Sequence, residues 1–355
     1  MKAYINGIGA VSPQNTLSND HFLDDVATVE AHLLPVLKPD YKEFVSPKML
    51  RRMSKIVRMS TAAAITAMKE AGIEQPDAVL TGTGMGCQAD TEKFLNAILN
   101  NNEELLTPTA FIQSTHNTMG AQIAFMLQNH NYNITYVNRG FSFESALLDS
   151  LMLLNEKEAA HVLLGGIDEI TEESWLISTK TGVYKKEPLN NLHLLEDKQQ
   201  GALAGEGAAF FMLSVDKTTA SCAQITQPDT FYKPENLTVI KERITQYLTT
   251  NNLSPDDIDL ILLGYNGDEE PDAVYAQLEK DLFAHNATAY FKHLSGEYDT
   301  AVSFATWLGA KILKEGTIPE ILQKRKHTGT SVKNILIYNI SHNMYHSLIL
   351  LQEVS

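Results

Sequence analysis

The sequence predicts an α/β fold made of two halves that look alike in outline. Two observations carry this. Strand-like runs alternate with segments of helical periodicity along the whole chain, which argues for sheets covered on both faces. Each half also places glycine-terminated strands beside helices rich in small residues.

Taken in order, the predicted strands are 3–8, 78–83, 134–138, 160–165, 208–213, 259–264, 289–291 and 334–340. The predicted helices are 58–72, 92–100, 145–155, 240–251, 273–285 and 300–314. The first of these is the clearest, with small and apolar residues at i, i+3 and i+4 and a glycine at its end. Residues 185–200 are polar and unperiodic and predict a surface loop. The expected division is 1–215 for an N-terminal half and 216–355 for a C-terminal half.

Bulk properties exclude several functions. The 355 residues are 44% hydrophobic, which suits a compact soluble protein of one large or two medium domains. Two cysteines cannot build a disulfide framework, so a reducing, cytoplasmic setting is expected. The N-terminus lacks the apolar core and cleavage site of a signal peptide, and no run approaches a membrane span. Net charge is −15, which argues against nucleic acid as a partner. The basic run K-M-L-R-R-M-S-K-I-V-R at 48–58 has helically spaced apolar residues, so its cations are expected on one solvated helix face.

The glycine turns G-I-G and T-G-T-G-M-G lack the acidic residue that a dinucleotide fingerprint would place about 20 positions on, so no such cofactor is expected. Asp268, Glu269 and Glu270 form an acidic run without supporting ligands at metal spacing, and no metal is expected. Cys87, just after the second glycine turn, is expected to be buried and inert.

Several phrases in order resemble the β-ketoacyl synthases of the thiolase superfamily. They are Y-I-N-G-I-G-A-V-S-P at the start, L-T-G-T-G-M-G at 80–86, T-P-T-A-F-I-Q-S-T-H-N-T-M-G-A-Q-I-A at 107–124, V-L-L-G-G-I-D at 162–168 and G-E-G-A-A-F-F-M-L at 205–213. Fainter ones follow: Y-N-G-D-E-E at 265–270, F-K-H-L-S-G-E at 291–297 and the last strand I-L-I-Y-N-I-S. The resemblance implies a thiolase-like fold, with two similar halves in a layered αβαβα architecture.

That family condenses acyl groups with a cysteine at a helix N-terminus and two histidines. Carried over by resemblance, the cysteine position falls on Phe141 in R-G-F-S-F, the first histidine on Asn266 and the second on Glu297. Only the family's lysine remains, as Lys292. The family's Phe-Gly-rich gating loop is replaced by N-I-S-H-N-M-Y-H at 339–346, which has no glycine. A phenylalanine has no lone pair to attack a thioester, an amide supplies no titratable imidazole, and Glu297 opposes enolate formation electrostatically. The expected outcome is a chain without condensing activity of its own.

Such a chain resembles a chain length factor, the subunit that pairs with an active ketosynthase and shapes its acyl tunnel in polyketide, aryl-polyene or fatty-acid-like biosynthesis. The well-known polyketide members carry glutamine where this chain has Phe141. By the same resemblance, Ala110, Phe111, Gln113 and Thr115 are candidates for the tunnel floor or, equally, for ordinary interface packing. Acyl carrier proteins are acidic, so the carrier is expected to dock mainly on the ketosynthase partner.

Other readings stay open. Ser142 could serve a hydrolase or acyltransferase with His116, His293 or His342, although G-F-S-F-E is no hydrolase elbow and a first-turn serine more often caps its helix. The chain could instead bind an acyl group or carrier without joining a synthase. Phe141 could plug the old cysteine site or be a core aromatic, and Lys292 could pair with Glu297 or another acid. Glu206 resembles a structural carboxylate of the family, and Glu144 would serve the helix dipole.

Overall fold

The structure is a computed structural model that describes residues 1–18, 22–104, 106–197 and 199–354. The strands used below are β1 (Lys2–Val11), β2 (Ala78–Gly82), β3 (Tyr132–Tyr136), β4 (His161–Asp168), β5 (Gly207–Ser214), β6 (Ala223–Thr226), β7 (Leu260–Leu263), β8 (Ala287–Tyr290), β9 (Asn334–Ser341) and β10 (Tyr345–Gln352). The helices are α1 (Lys55–Ala71), α2 (Thr118–Leu127), α3 (Ser142–Asn155), α4 (Leu237–Thr250), α5 (Glu269–Asp281) and α6 (Ala301–Glu315).

The strands lie in the order β8-β7-β9-β10-β6-β1-β5-β4-β2-β3, with the short strand Gln323–Arg325 outside β8. Reading outward from the middle shows the internal repeat. In one half β4, β2 and β3 are parallel, and β5 runs antiparallel between β4 and β1. In the other, β9, β7 and β8 are parallel, and β10 runs antiparallel between β9 and β6. The halves join where β1 pairs antiparallel with β6, Lys2 opposite Thr226.

Side-chain alternation assigns each strand residue to one of two faces. Val162, Leu164, Ala209 and Phe211 meet Ile335, Ile337, Ile349 and Leu351 in a central core that also holds α3 and α6. The opposite face of the first half, with Leu163, Phe210 and Met212, is covered by α1 and by Met119 and Ile123 of α2. That of the second half, with Ile261, Leu336 and Leu350, is covered by α4 and α5. Helices, sheet, helices, sheet and helices are thus stacked in five layers. Every residue of α6 from Ala301 to Leu313 is buried, and truncating a large one such as Leu308 to alanine would cost about 2–5 kcal/mol.

Two expectations from sequence are corrected. Residues 48–58 are not one helix: a short helix Pro47–Leu50 ends, the chain extends at Ser54, and α1 starts at Lys55. Lys55 is drawn to buried Glu206 at 2.6 Å, leaving Lys48, Arg51 and Arg52 as the outward cations. The segment 185–200 is not a surface loop throughout. Lys185 is fully buried, and its ammonium reaches Asp197 at 2.9 Å and the carbonyls of Gln199 and Gly267 at 2.6 and 2.9 Å. Lys198 of that segment lies outside the described residues. Among the described residues no helix is long and apolar enough to cross a membrane.

Candidate functional site

Phe141 stands at the turn between β3 and α3. The turn is tight: Arg139 has φ +49, and Phe141 N donates to Asn138 O at 3.0 Å. Gly140 is required by crowding, because a Cβ there would sit 2.8 Å from Ser341 Cβ and 2.9 Å from Tyr345 Cβ. Phe141 is half-buried and packs edge-on against Tyr345, with ring centroids 4.9 Å apart.

Ser142 opens α3 and is buried. Its hydroxyl donates to Arg139 O at 2.7 Å and accepts from Asn138 N at 2.8 Å. Both bonds serve the turn, and among the described residues no histidine or carboxylate bonds to this oxygen. His293 is fully buried, and its Nε2 faces Ile321 O at 3.1 Å. Burial pushes its pKa down to about 3. His342 bonds Asp299 at 2.7 Å, and His116 packs beside Gly86.

Asn266, on the loop after β7, meets Lys292 and Glu297, which start and follow the short helix Lys292–Ser295 after β8. Glu297 Oε2 accepts from Lys292 Nζ at 2.5 Å and from Asn266 Nδ2 at 2.9 Å. Lys292 also reaches Ile340 O at 3.2 Å, and Asn266 Oδ1 accepts from Asp268 N at 2.9 Å. Asp272 anchors the same loop by accepting from Asn266 N and Gly267 N, both at 3.0 Å. Burial pushes the Asp272 carboxyl up to about 6 despite those bonds.

The β9–β10 hairpin connects this cluster to Phe141. Ile340 receives Lys292, while Ser341 and Tyr345 pack on Gly140 and Phe141. Its turn places both His342 and Asn343 in the left-handed region, at φ +49 and +55, and closes with Met344 N donating to Ser341 O. His342 holds Asp299, and Asn343 donates to Glu270 at 3.0 Å, so the turn is pinned at both central residues. Burial works against the His342 imidazolium, but the bond to Asp299 outweighs it and the net shift is upward.

Acids crowd this end of the central layer: Glu144 and Glu297 stood out in the sequence, Asp168 and Asp299 did not. Asp168 Oδ1 accepts from Thr83 Oγ1 and from Gly84 and Met85 N, and Oδ2 accepts from Thr300 N and Oγ1. It thereby ties the T-G-T-G-M-G turn to the start of α6. Burial first, then the neighbouring Asp299 charge, push it up to about 6. A Cβ on Gly84 would lie 1.9 Å from Asp299 Oδ2, which explains the second glycine turn. Burial pushes Glu144 up to about 7, with the Ser347 hydroxyl opposing and Asp299 adding to the rise. Tyr184 is raised by burial and by Asp299, Glu297 and Asp168. A D at the end of a buried strand was the one visible sequence signal.

Glu206 is a structural hub: it accepts from Val36 N, Ile170 N and Lys55 Nζ. Cys87 is buried, with burial pushing its thiol up. Among the described residues no group of histidine, cysteine and acidic side chains could hold a metal ion.

The candidate tunnel residues lie elsewhere, on and after the helix Pro108–Gln113. Phe111 is 58% exposed and packs on Phe94; Ala110 is half-buried. Gln113 donates to Arg52 O and lines a surface groove of about 730 Å3 with Met49, Arg51, Arg52, Ile112 and Phe125. Thr115 spends its hydroxyl on Ile112 O and Thr118. The chain then enters α2, where Gly120 O accepts from Asn133 Nδ2 of β3 at 2.9 Å, and the outer edge of β3 pairs with nothing among the described residues. Phe125, Ile134, Val137, Leu148 and Met152 are exposed on and beside that edge.

The family of β-ketoacyl synthase N-terminal domains matches residues 31–246. The chain belongs to the β-ketoacyl synthase family. A search of curated protein sequences gives no significant match. Among solved structures, the β-ketoacyl synthase fold of this chain is similar to the ishigamide ketosynthase/chain length factor, with TM-score 0.82 and 18% identity over 100% of this chain and 99% of that one. It is likewise similar to a β-ketoacyl synthase from Burkholderia phymatum, with TM-score 0.82 and 13% identity over the whole of both chains. A type II polyketide synthase acyl carrier protein in complex with its ketosynthase bound to the hexaketide gives TM-score 0.74 and 11% identity over 99% of each chain. At these identities the structures establish the thiolase-like fold.

Proposed function

We propose that this chain is a non-condensing, chain-length-factor-like subunit that pairs with an active ketosynthase in the cytoplasm. The observation that carries the reading is the side-chain set at the family's reactive positions. An aromatic ring occupies the turn where a thiolate would stand, and Asn266, Lys292 and Glu297 bond to one another rather than facing a substrate. No group there can attack a thioester, and the two positions that would polarise a malonyl group are an amide and an acid.

The unpaired edge of β3 supports a partner. An exposed strand edge with apolar neighbours is a liability unless another chain covers it. Ala110, Phe111, Gln113 and Thr115 lead into α2, which bonds to that strand through Gly120 O and Asn133, and would line or pack the shared surface. The net charge of −15 favours delivery of an acidic carrier through the partner. Polyketide, aryl-polyene and fatty-acid-like chains all fit this division of labour. The ishigamide ketosynthase/chain length factor, a similar fold by its name, is consistent with the reading.

The test is complementation. The purified chain alone is expected to give no condensation of a malonyl carrier, and co-expression with a ketosynthase that has intact cysteine and histidines is expected to give a stable, active mixed dimer.

A further inference from the structure

The inner face of the β9–β10 hairpin changes character along its length. Ile335, Ile337, Ile349 and Leu351 point into the central core. At the next positions on the same face stand Asn339, Ser341 and Ser347, with Asn339 directly opposite Ser347. All three are at most 1% exposed, in a place where the alternation calls for apolar residues. The other face keeps Leu336, Tyr338, Ile340, Leu348 and Leu350.

These groups are under-used. Neither side-chain atom of Asn339, nor the Ser341 hydroxyl, nor Glu297 Oε1 closes a hydrogen bond with protein, and Glu144 and Ser347 have no side-chain partner beyond each other. They belong to one region. Ser347 and Asp299 neighbour Glu144, Ser341 packs on Gly140, and Lys292 ties Glu297 to Ile340. Polar atoms left unpaired in a buried place are costly, and native proteins satisfy almost all of them. Together these side chains offer both donors and acceptors, which is what a buried water needs.

We infer that the end of the central layer between Glu144, Asn339, Ser341, Ser347 and Glu297 is an internal water-binding site, so that ordered water rather than an acyl chain occupies this subunit's interior. An apolar chain placed there would leave Asn339, Ser341 and Glu297 Oε1 unpaired. The inference rests on the proposed function in one respect: a subunit that shapes a tunnel must then do so from its exposed β3 face.

A high-resolution crystal structure of the full chain, grown with and without dodecanoyl-pantetheine, tests this, with cis-parinaric acid fluorescence as a solution readout. The expected result is water density at hydrogen-bond distance from Glu144, Asn339 and Ser347 in both crystals, and no saturable fluorescence rise. Asn339→Leu with Ser347→Ala is expected to expel that water, and the milder Ser341→Ala to remove one contact if the double variant does not fold. Acyl density in this region, or a dry site with the side chains turned onto one another, overturns the inference. Complementation of a ketosynthase is read separately, so a wet interior without complementation sinks the proposed function alone.

Discussion

Lys292 Nζ lies 2.5 Å from Glu297 Oε2, with the lysine fully buried and the glutamate 4% exposed. A charge pair this deep is weak evidence for net stability, but breaking it from one side strands the other charge. Lys292→Met and Glu297→Gln are each expected to destabilise the fold by about 3–5 kcal/mol, and Lys292→Met with Glu297→Leu to lie closer to the parent. Urea midpoints of the four proteins check this.

Phe141→Cys is expected to create a reactive thiol without creating an enzyme. The position is the N-cap of α3, where the helix N-terminus favours a thiolate. Iodoacetamide should therefore label the variant at residue 141 by mass spectrometry, while buried Cys87 and Cys222 stay unmodified. Condensation should remain at background, because Asn266 and Glu297 still stand at the other two positions.

Glu144 gives a pH prediction with a definite sign. Its folded pKa of about 7 lies above the unfolded carboxylate value, so between those two values the folded chain holds the extra proton. Stability from this group is therefore present at low pH and is lost as pH rises through 7. Glu144→Gln is expected to stabilise the protein above pH 7 by up to about 3 kcal/mol, and the gain should shrink toward pH 4.5. Denaturation midpoints across that range measure it.

Much of this was legible in sequence, and the reasons for the gaps are physical. Glycine turns and buried strands announce themselves locally, so β2 and the start of β4 were found within a residue, although β4 runs three residues past its predicted end. Strand β10 was missed because His346 and Ser347 are polar yet buried, one stacked on Phe231 and the other turned to Glu144. Lys185 read as solvated because its partners include the Gly267 carbonyl, far along the chain. The Lys292–Glu297 contact could be read from a spacing of five residues, but Asn266 joining them could not.

Ile134→Lys places a charge in the middle of the β3 edge. Ile134 is 36% exposed, so the fold should tolerate the change. If the edge meets a ketosynthase, affinity for that partner is expected to fall ~30-fold or more, the equivalent of about 2 kcal/mol at an interface centre. Biolayer interferometry against the co-purifying ketosynthase, with circular dichroism to confirm folding, gives the answer.

Condensation by the purified chain and by its mixed dimer, assayed side by side with a malonyl-loaded carrier, bears most directly on the proposal that this chain condenses nothing by itself. No product from the chain alone, and product from the dimer that disappears when only the ketosynthase's cysteine is replaced, is the predicted result. Product from the chain alone, or from a dimer whose ketosynthase cysteine is gone, would contradict it.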